Sequence, residues 1–476
     1  MKVLVIAFIV TALHEDAICG MLRNNAERER LRAITLKDRE IKASKTSIVA
    51  YNKTQMAMED VSKEAERLEA KCSELGSPCH VTTLKNIGVF EVVYESESHP
   101  TTTDLEIDPE KEVGAEDSVV HIDSFSTPND PGYGGGTQWH FNDYYASINA
   151  EEGWTEYLSD SIGGDPDGPS VVVAVVDTGI DYTHPDLVNM MWTNPGEVAD
   201  NGIDDDGNGI IDDYYGADFT VTTRGTGDPY DIESHGTHCA GIVAAEENNG
   251  LGGVGVASFT QGKVKLMAVK GLDDYGDGTM SGLLAGVNYA IEMGARISSN
   301  SWGGDESTAE YYESVWDQVL QNNPDHLFVA SAGNNALEIT DDYRPVNCGF
   351  SEPNLICVAS SRWDYNISDF SNYGENYVHV MAPGHYIYST VPYGCWDCTE
   401  TEAMYEHKWG TSMACPMVSG LAALVMTMRE DLTGAEVREL IEANVKTNDN
   451  YDGLVSTGGC IDVGATILAL KDDSGT

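Results

Sequence analysis

Val171-Val172-Val173-Ala174-Val175-Val176-Asp177-Thr178-Gly179 decides how the chain reads. Five valines and an alanine in succession show no polar alternation, which suits a strand covered on both faces in a parallel sheet. Asp177 then stands at the carboxyl end of that strand, where open α/β sheets place their sites. Near-continuous apolar runs predict strands over Ser170–Asp177, Val264–Leu272, Arg296–Ser301, His326–Ala332, Asn354–Ala359 and Tyr377–Ala382. Helical spacing is read over Gly236–Ala245, Ser281–Gly294, Ala309–Gln321, Ser412–Met428 and Ala435–Asn444. The last opens on Thr433-Gly434-Ala435-Glu436, the pattern of a capping box. Strands alternating with helices predict an α/β fold, a mostly parallel sheet with helices on both faces.

Two further segments carry chemistry. Ser234-His235-Gly236-Thr237-His238-Cys239-Ala240-Gly241 offers an imidazole, and Gly410-Thr411-Ser412-Met413-Ala414-Cys415-Pro416 offers a hydroxyl. Serine oxygen is a poor nucleophile at neutral pH. It needs a base within hydrogen-bond reach and a buried carboxylate to orient that base. His235 and Ser412 each lead into a predicted helix, whose N-terminal field favours an anionic transition state. Gly410 permits a tight turn there, and Pro416 is expected within the first helical turn, where a missing N–H is tolerated. His238 and His184 are expected to be packing residues, and Asn335 a turn residue.

These three segments resemble those of subtilisin-type serine proteases, which read D-[ST]-G, H-G-T-H and G-T-S-M-A-x-P. The resemblance covers roughly residues 129–470. It implies a seven-stranded-type subtilisin sheet, with Asp177 orienting His235, His235 as general base and acid, and Ser412 attacking the scissile carbonyl. Ala330-Ser331-Ala332-Gly333-Asn334 matches the family's oxyanion segment, so Asn334 takes the role of side-chain donor. Ser299-Asn300-Ser301-Trp302-Gly303-Gly304 resembles the segment that pairs with substrate backbone, implying substrate contacts at Ser301, Trp302, Gly303 and Gly304. Trp302 is a candidate wall for an apolar subsite. One departure stands at Met417, where many members carry histidine.

Asp204-Asp205-Asp206-Gly207-Asn208-Gly209-Ile210-Ile211-Asp212-Asp213 places oxygen ligands at alternate positions around a glycine, as in the first part of an EF-hand loop. The twelfth position is Tyr215 and not glutamate, so a structural calcium loop is expected, with Asp204, Asp206, Asn208, Ile210, Asp212 and Asp213 as candidate ligands. Loops like this occur in thermitase-like and protozoan secreted subtilisins. The resemblance alone implies a second calcium site from Asp130, Asp186 and the loop 247–253, with Asn249, Leu251 and Gly253 contributing oxygens.

The formal charge of −51 sets 78 acidic residues against 27 basic ones, which argues against nucleic acid and anionic membranes as partners. Met1-Lys2 followed by apolar residues 3–10 fits a secretory signal over residues 1–20. No later stretch is read as long and apolar enough for a membrane helix. Residues 21–125 read as a small α+β domain, with strands at 46–51, 80–84 and 89–94, a helix at 56–75, and an acidic linker from 95 to 127. The peptidase-like part is 126–476. The first segment resembles the inhibitor-type propeptide of secreted subtilisins; an independent binding domain is the other reading. Ten cysteines suggest local bridges 72–79, 348–357 and 395–398, with Cys239 and Cys415 as buried thiols and Cys460 left over. Asn52 and Asn366 head glycosylation sequons. The expectation is a secreted, monomeric, calcium-stabilised serine endopeptidase acting on protein or peptide substrates and inhibited by its own propeptide. The alternative is a non-catalytic binding protein on the same scaffold.

Overall fold

The computed structural model describes residues 46–51, 79–84, 89–94, 112–116, 127–141, 146–159, 170–304, 309–395 and 403–473. The chain divides into two compact units, Met1–Ser124 and Phe125–Thr476. In the first, β1 (Thr46–Tyr51), β2 (Cys79–Leu84), β3 (Val89–Tyr94) and β4 (Glu112–Glu116) form an antiparallel sheet in the order β2-β3-β1-β4. β4 falls inside the stretch expected to be linker. The expected signal, the helix at 56–75, Asn52 and Cys72 lie outside the described residues.

The second unit is built on nine strands: β5 (Val171–Asp177), β6 (Gly216–Asp218), β7 (Val264–Lys270), β8 (Ile297–Asn300), β9 (Leu327–Ser331), β10 (Leu355–Ser361), β11 (Val380–Pro383), β14 (Lys446–Thr447) and β15 (Gly459–Cys460). Between β11 and β14 the chain forms a separate hairpin of β12 (Ile387–Thr390) and β13 (Tyr405–Lys408). The sheet order is β14-β15-β11-β10-β9-β8-β5-β7-β6, all parallel except the β14–β15 pair. All six predicted strands are present. The sheet has nine strands where the resemblance implies seven, and the three that apolar runs do not predict, β6, β14 and β15, are too short to leave a periodic signal. After β5 the chain builds outward on one side through β7 and β6, then returns to add β8 to β11 on the other. β5 is therefore the switch point, and its carboxyl end opens on a crevice.

The helices are α1 (Ala150–Ser159), α2 (His235–Ala244), α3 (Met280–Glu292), α4 (Ala309–Asn322), α5 (Thr411–Met428), α6 (Gly434–Ala443) and α7 (Val463–Asp473). α6 carries the expected capping box between Thr433 and Glu436. α1 and α7 pack on one another through buried residues at helical spacing, Ala150, Gly153, Trp154 and Tyr157 against Val463, Ile467 and Leu470. A side chain at Gly153 would collide with Val463, so that contact requires glycine. α5 runs through the core against α2, β8, β9, β10 and β11, and Ser412 is its one residue that is not buried. By length and apolarity α5 does meet the measure of a membrane span, contrary to the sequence expectation. Yet 94% of it is buried inside the protein, as the core helix of a folded domain is. Cys348 and Cys357 are bridged and Cys395 is disulfide-bonded, while Cys239, Cys415 and Cys460 are free and buried. Cys398, its expected partner, lies outside the described residues.

Candidate active site

β5 delivers Asp177, fully buried, to the crevice. Its Oδ1 lies 2.8 Å from His235 Nδ1 and accepts the Thr178 N–H at 2.7 Å. His235 is the first residue of α2. Gly236 follows because a Cβ there would lie 2.1 Å from the Gly179 carbonyl oxygen, so only glycine lets α2 approach the end of β5. Burial, the largest single influence on His235, would lower its pKa, but the charges and hydrogen bonds of Asp177 and Cys239 together outweigh it and raise the ring well above its ordinary value. This arrangement leaves Nε2 to face a nucleophile.

Ser412 is the second residue of α5, after the N-cap Gly410. Its hydroxyl donates to the Ser301 carbonyl at 3.2 Å. Among the described residues no hydrogen bond joins it to His235, a looseness common in unliganded hydrolase sites. Pro416 lies deeper in α5 than expected, in the second turn, since the helix begins at Thr411. A proline there has no N–H for the carbonyl four residues back, which is that of Ser412. The orphaned carbonyl is taken up from outside the helix by Ser301 Oγ at 2.9 Å and Cys239 Sγ at 3.4 Å. Ser301 thus braces the backbone of Ser412, and Cys239 ties α5 to the helix that carries His235.

Asn334 follows β9. Its Oδ1 accepts from Thr411 N–H at 2.8 Å and Thr411 Oγ1 at 3.1 Å, which turns Nδ2 toward Gly410, 3.4 Å from where a Cβ would stand. The side-chain amide and the first-turn N–H groups of α5 therefore face one space. Sequence reading missed the residue that shapes this loop. Asn372 donates to Ala332 O at 2.9 Å and accepts from Asn335 N–H at 3.1 Å and Leu337 N–H at 3.0 Å. Asn335 is a turn residue, as expected. His184 is buried between Met404 O and Asp186 N–H, and His238 between Ile387 O and Glu406 O, both as packing residues.

Ser301, Gly303 and Gly304 leave the end of β8 beside Ser412, the two glycines exposed. Trp302 is not a subsite wall. Its ring is buried and packs on Trp316 and Phe328 at centroid distances of 6.0 and 6.3 Å. Asp341, in the loop 337–344, is bonded by the Tyr377 hydroxyl.

The acidic loop differs in detail from the expected ligand set. Asp206 and Asp213 converge, but with Glu197, which stands outside the motif; one oxygen from each lies within 4.8 Å of the others. Glu197 is 7% exposed, and its Oε2 is buried without a partner. Asn208 joins them, donating to Asp206 Oδ2 at 3.1 Å and Asp213 Oδ2 at 2.9 Å. Asp204 binds the N–H groups of Gly207 and Gly209, and Asp212 those of Asn201 and Gly202, so both shape the loop outside the cluster. Ile210 has a buried side chain, and its N–H donates to Asn208. At the second place Asp130 and Asp186 are fully buried, and each keeps one oxygen without a partner. Asn249 Nδ2 donates to Asp186 at 2.6 Å, and its Oδ1 accepts Leu251 N–H at 2.8 Å. Burial, with the charge of Asp130 adding to it, pushes Asp186 up to about 7. Idle buried oxygens on Glu197 at the first place, where Asp206 is exposed, and on Asp130 and Asp186 at the second fit a hard divalent cation.

A hydroxyl, an imidazole and a buried carboxylate at the switch point of a doubly wound sheet are the parts of a serine hydrolase. The chain belongs to the subtilase family, whose model matches residues 168–459. It is similar to the subtilisin-like protease 1 of Plasmodium berghei (strain Anka), 33% identical over 310 residues, covering 61% of this chain and 48% of that protein. The thermophilic serine proteinase of Bacillus sp. (strain AK1) is 34% identical, with 68% of each chain covered. Thermitase of Thermoactinomyces vulgaris is 33% identical over 60% of this chain and 84% of its own. A solved protease structure from Pseudoalteromonas arctica aligns with a TM-score of 0.55 at 25% identity, covering 72% of this chain and 100% of that one. The chain spans about half the length of the Plasmodium relatives it matches.

Proposed function

We propose that this subtilase is a secreted, calcium-stabilised serine endopeptidase, made as a zymogen that processes itself. The observation that carries the reading is the Asp177–His235 bond beside the single accessible residue of α5, Ser412. Ser412 Oγ attacks the scissile carbonyl while His235 Nε2 takes its proton, and Asp177 stabilises the imidazolium that results. Asn334 Nδ2 and a backbone N–H of the first turn of α5 bind the oxyanion. His235 then protonates the leaving amine, and water repeats the sequence on the acyl-enzyme. The exposed Gly303 and Gly304, which follow the buried Ser301 out of β8, supply a backbone edge for peptide substrate. The purified mature form should hydrolyse denatured protein, and Ser412→Ala should not; full activity in that variant overturns the reading. Labelling of Ser412 by a fluorophosphonate separates it from a binding protein on the same scaffold.

Calcium would be held at one place by Glu197, Asp206, Asn208 and Asp213, and at the other by Asp130, Asp186 and Asn249, with Leu251 and Gly253 on the same loop. There it neutralises buried carboxylates and takes no part in the chemistry. Residues 21–125 serve in this reading as an inhibitory propeptide and residues 1–20 as a secretory signal. Secretion accords with a relative named as an extracellular serine protease in Natrialba magadii, 30% identical over 68% of this chain. The exposed Asn366 is then available for glycosylation, and the enzyme acts as a monomer.

A further inference from the structure

α2 begins without a side-chain cap of its own. Its N-cap, Ser234, makes no capping hydrogen bond; its hydroxyl is buried without a partner. Its φ of 118° lies where a side chain is strained. The donors that Ser234 leaves open are taken by a carboxylate three residues upstream. Asp231 is fully buried. Its Oδ1 accepts the N–H groups of Glu233 and Ser234, each at 3.0 Å, and its Oδ2 accepts Thr237 N–H at 3.0 Å and Thr237 Oγ1 at 2.7 Å. The chain from 231 to 237 is wound around this one group, and His235 stands in the middle of the turn. The winding is anchored further, since Thr237 Oγ1 accepts Asp181 N–H at 2.9 Å and Gly236 N–H donates to Thr178 Oγ1 at 2.8 Å. Thr178 is the neighbour of Asp177, so one network fixes both the acid and the base.

We propose that Asp231 is a positioning residue for hydrolysis: its carboxylate holds the strained turn that aims His235 at Asp177, and its buried charge favours the imidazolium formed during attack. A plain helix cap needs neither strain at the neighbouring residue nor a charge beside the reacting pair. A buried charge near an imidazolium acts through a low dielectric and is costly to lose. Burial raises the Asp231 carboxyl to about 6, against the bonds from Thr237 and Ser234, and the charge of Asp177 adds to the rise. The Asp177 charge is therefore felt at Asp231. The other ionisable groups around the turn are Lys270 on β7, whose ammonium donates to Thr178 O, then Asp181, Tyr230 and Glu233 in the loops, and His235, His238 and Cys239 on α2.

The inference rests on His235 as the base, and the test separates the two. In the self-processed enzyme, Asp231→Asn should lower kcat on a peptide amide about tenfold, with KM changed less than twofold. Removing a negative charge near the imidazolium lowers the pKa of His235, so the acid limb of kcat/KM should move to lower pH by half a unit or more. A merely structural cap would lower the melting temperature and leave the limb where it is; that result, or a wild-type kcat, overturns the proposal. If the Asn variant does not fold, Thr237→Val and Thr237→Ser carry the test. The valine, which strips one bond from Asp231, should lower kcat at least threefold at unchanged KM, and the serine should restore it. Equal activity in both overturns the proposal. Undiminished activity in Ser412→Ala would instead sink the hydrolase reading itself.

Discussion

The hydrolytic crevice and the loop at 197–213 both gather buried carboxylates, and they satisfy them differently. In the crevice the acids face donors from the chain: Asp177 Oδ1 faces His235 and Thr178 N–H, although its Oδ2 is buried without a partner, and Asp231 faces four donors. In the loop the acids face one another. Glu197, Asp206 and Asp213 converge with two asparagine amides and the Tyr289 hydroxyl among them, and one carboxylate oxygen is left idle. A site whose acids are separated and each held by donors of the chain is poised for chemistry as folded. A site whose charges are not met depends on a ligand from outside, and its stability changes with that ligand.

The sharpest way to test the preorganisation of the crevice is to remove a donor that acts only when charge develops. Asn334→Ala should lower kcat by roughly a hundred- to a thousandfold, a scale that subtilisin itself sets for its oxyanion asparagine, with KM nearly unchanged. Steady-state kinetics on a peptide amide decides it. A fall in kcat/KM carried by KM alone would mean that Asn334 binds substrate and does not stabilise the oxyanion.

Dependence on an outside ligand predicts a second effect. Calcium at a hundredfold excess over its Kd adds about 2.7 kcal/mol per site to the folded state. Excess chelator should therefore lower the melting temperature of the mature enzyme and speed its self-digestion. Glu197→Gln should abolish much of the calcium-dependent part of the melting shift, whereas Asp204→Asn should leave most of it. The reverse ranking would restore the ligand set expected from the motif spacing. An unchanged melting curve in chelator would remove both sites.

Chelated protein should also show an unusual slope of stability with pH. Asp186 and Glu247 are raised to about 7, in both cases chiefly by burial, and Asp231 to about 6. For acids whose folded pKa lies above the unfolded value, the folded state binds more protons between the two. That stabilisation is complete below the unfolded pKa near 4 and disappears as pH rises through 6 and 7. Each such proton is worth up to about 1.4 kcal/mol per pH unit. In chelator the melting temperature should fall between pH 5 and pH 8; with calcium, which favours the ionised carboxylates at 130 and 186, the slope should flatten or reverse. Equal slopes in the two conditions would show that the cation does not reach Asp186.

Much of this was legible from residues 171–179, 234–241 and 410–416, because a buried parallel strand and a helix entered through glycines leave local signals. All six long strands and five helices follow from apolar runs and spacing. α1 and α7 went unread although Trp154 with Tyr157, and Ile467 with Leu470, stand at helical spacing. Glu197 was invisible for a different reason. It lies seven residues before Asp204, outside any motif spacing, and only folding brings it to Asp206 and Asp213. Asp231 left a faint signal, an acid three residues before a helix N-cap, which is ordinary enough to pass for solvation. Trp302 was misread because its position in the crevice segment says nothing of which side its ring takes. The strand of residues 112–116 was hidden by an acidic composition that suits a linker equally well.

The smallest expected effect lies in the brace on the Ser412 backbone. Pro416 leaves the Ser412 carbonyl without its intrahelical partner, and Ser301 Oγ is the stronger of the two groups that replace it, since a thiol is a weak donor. Ser301→Ala removes that hydroxyl while keeping the Ser301 carbonyl that receives the Ser412 hydroxyl. A buried carbonyl left with only a thiol loses on the order of 1 kcal/mol. kcat should therefore fall severalfold, with KM little changed. Cys239→Ala should cost less, and Ser301→Ala with Cys239→Ala should cost more than the sum, because the first loss leaves the second group as the sole partner. Strict additivity of the two in kcat would show that they do not share the Ser412 carbonyl in the working enzyme. Restoration of full activity in Ser301→Ala by Pro416→Ala, which returns an N–H to the helix, would locate the defect at that carbonyl.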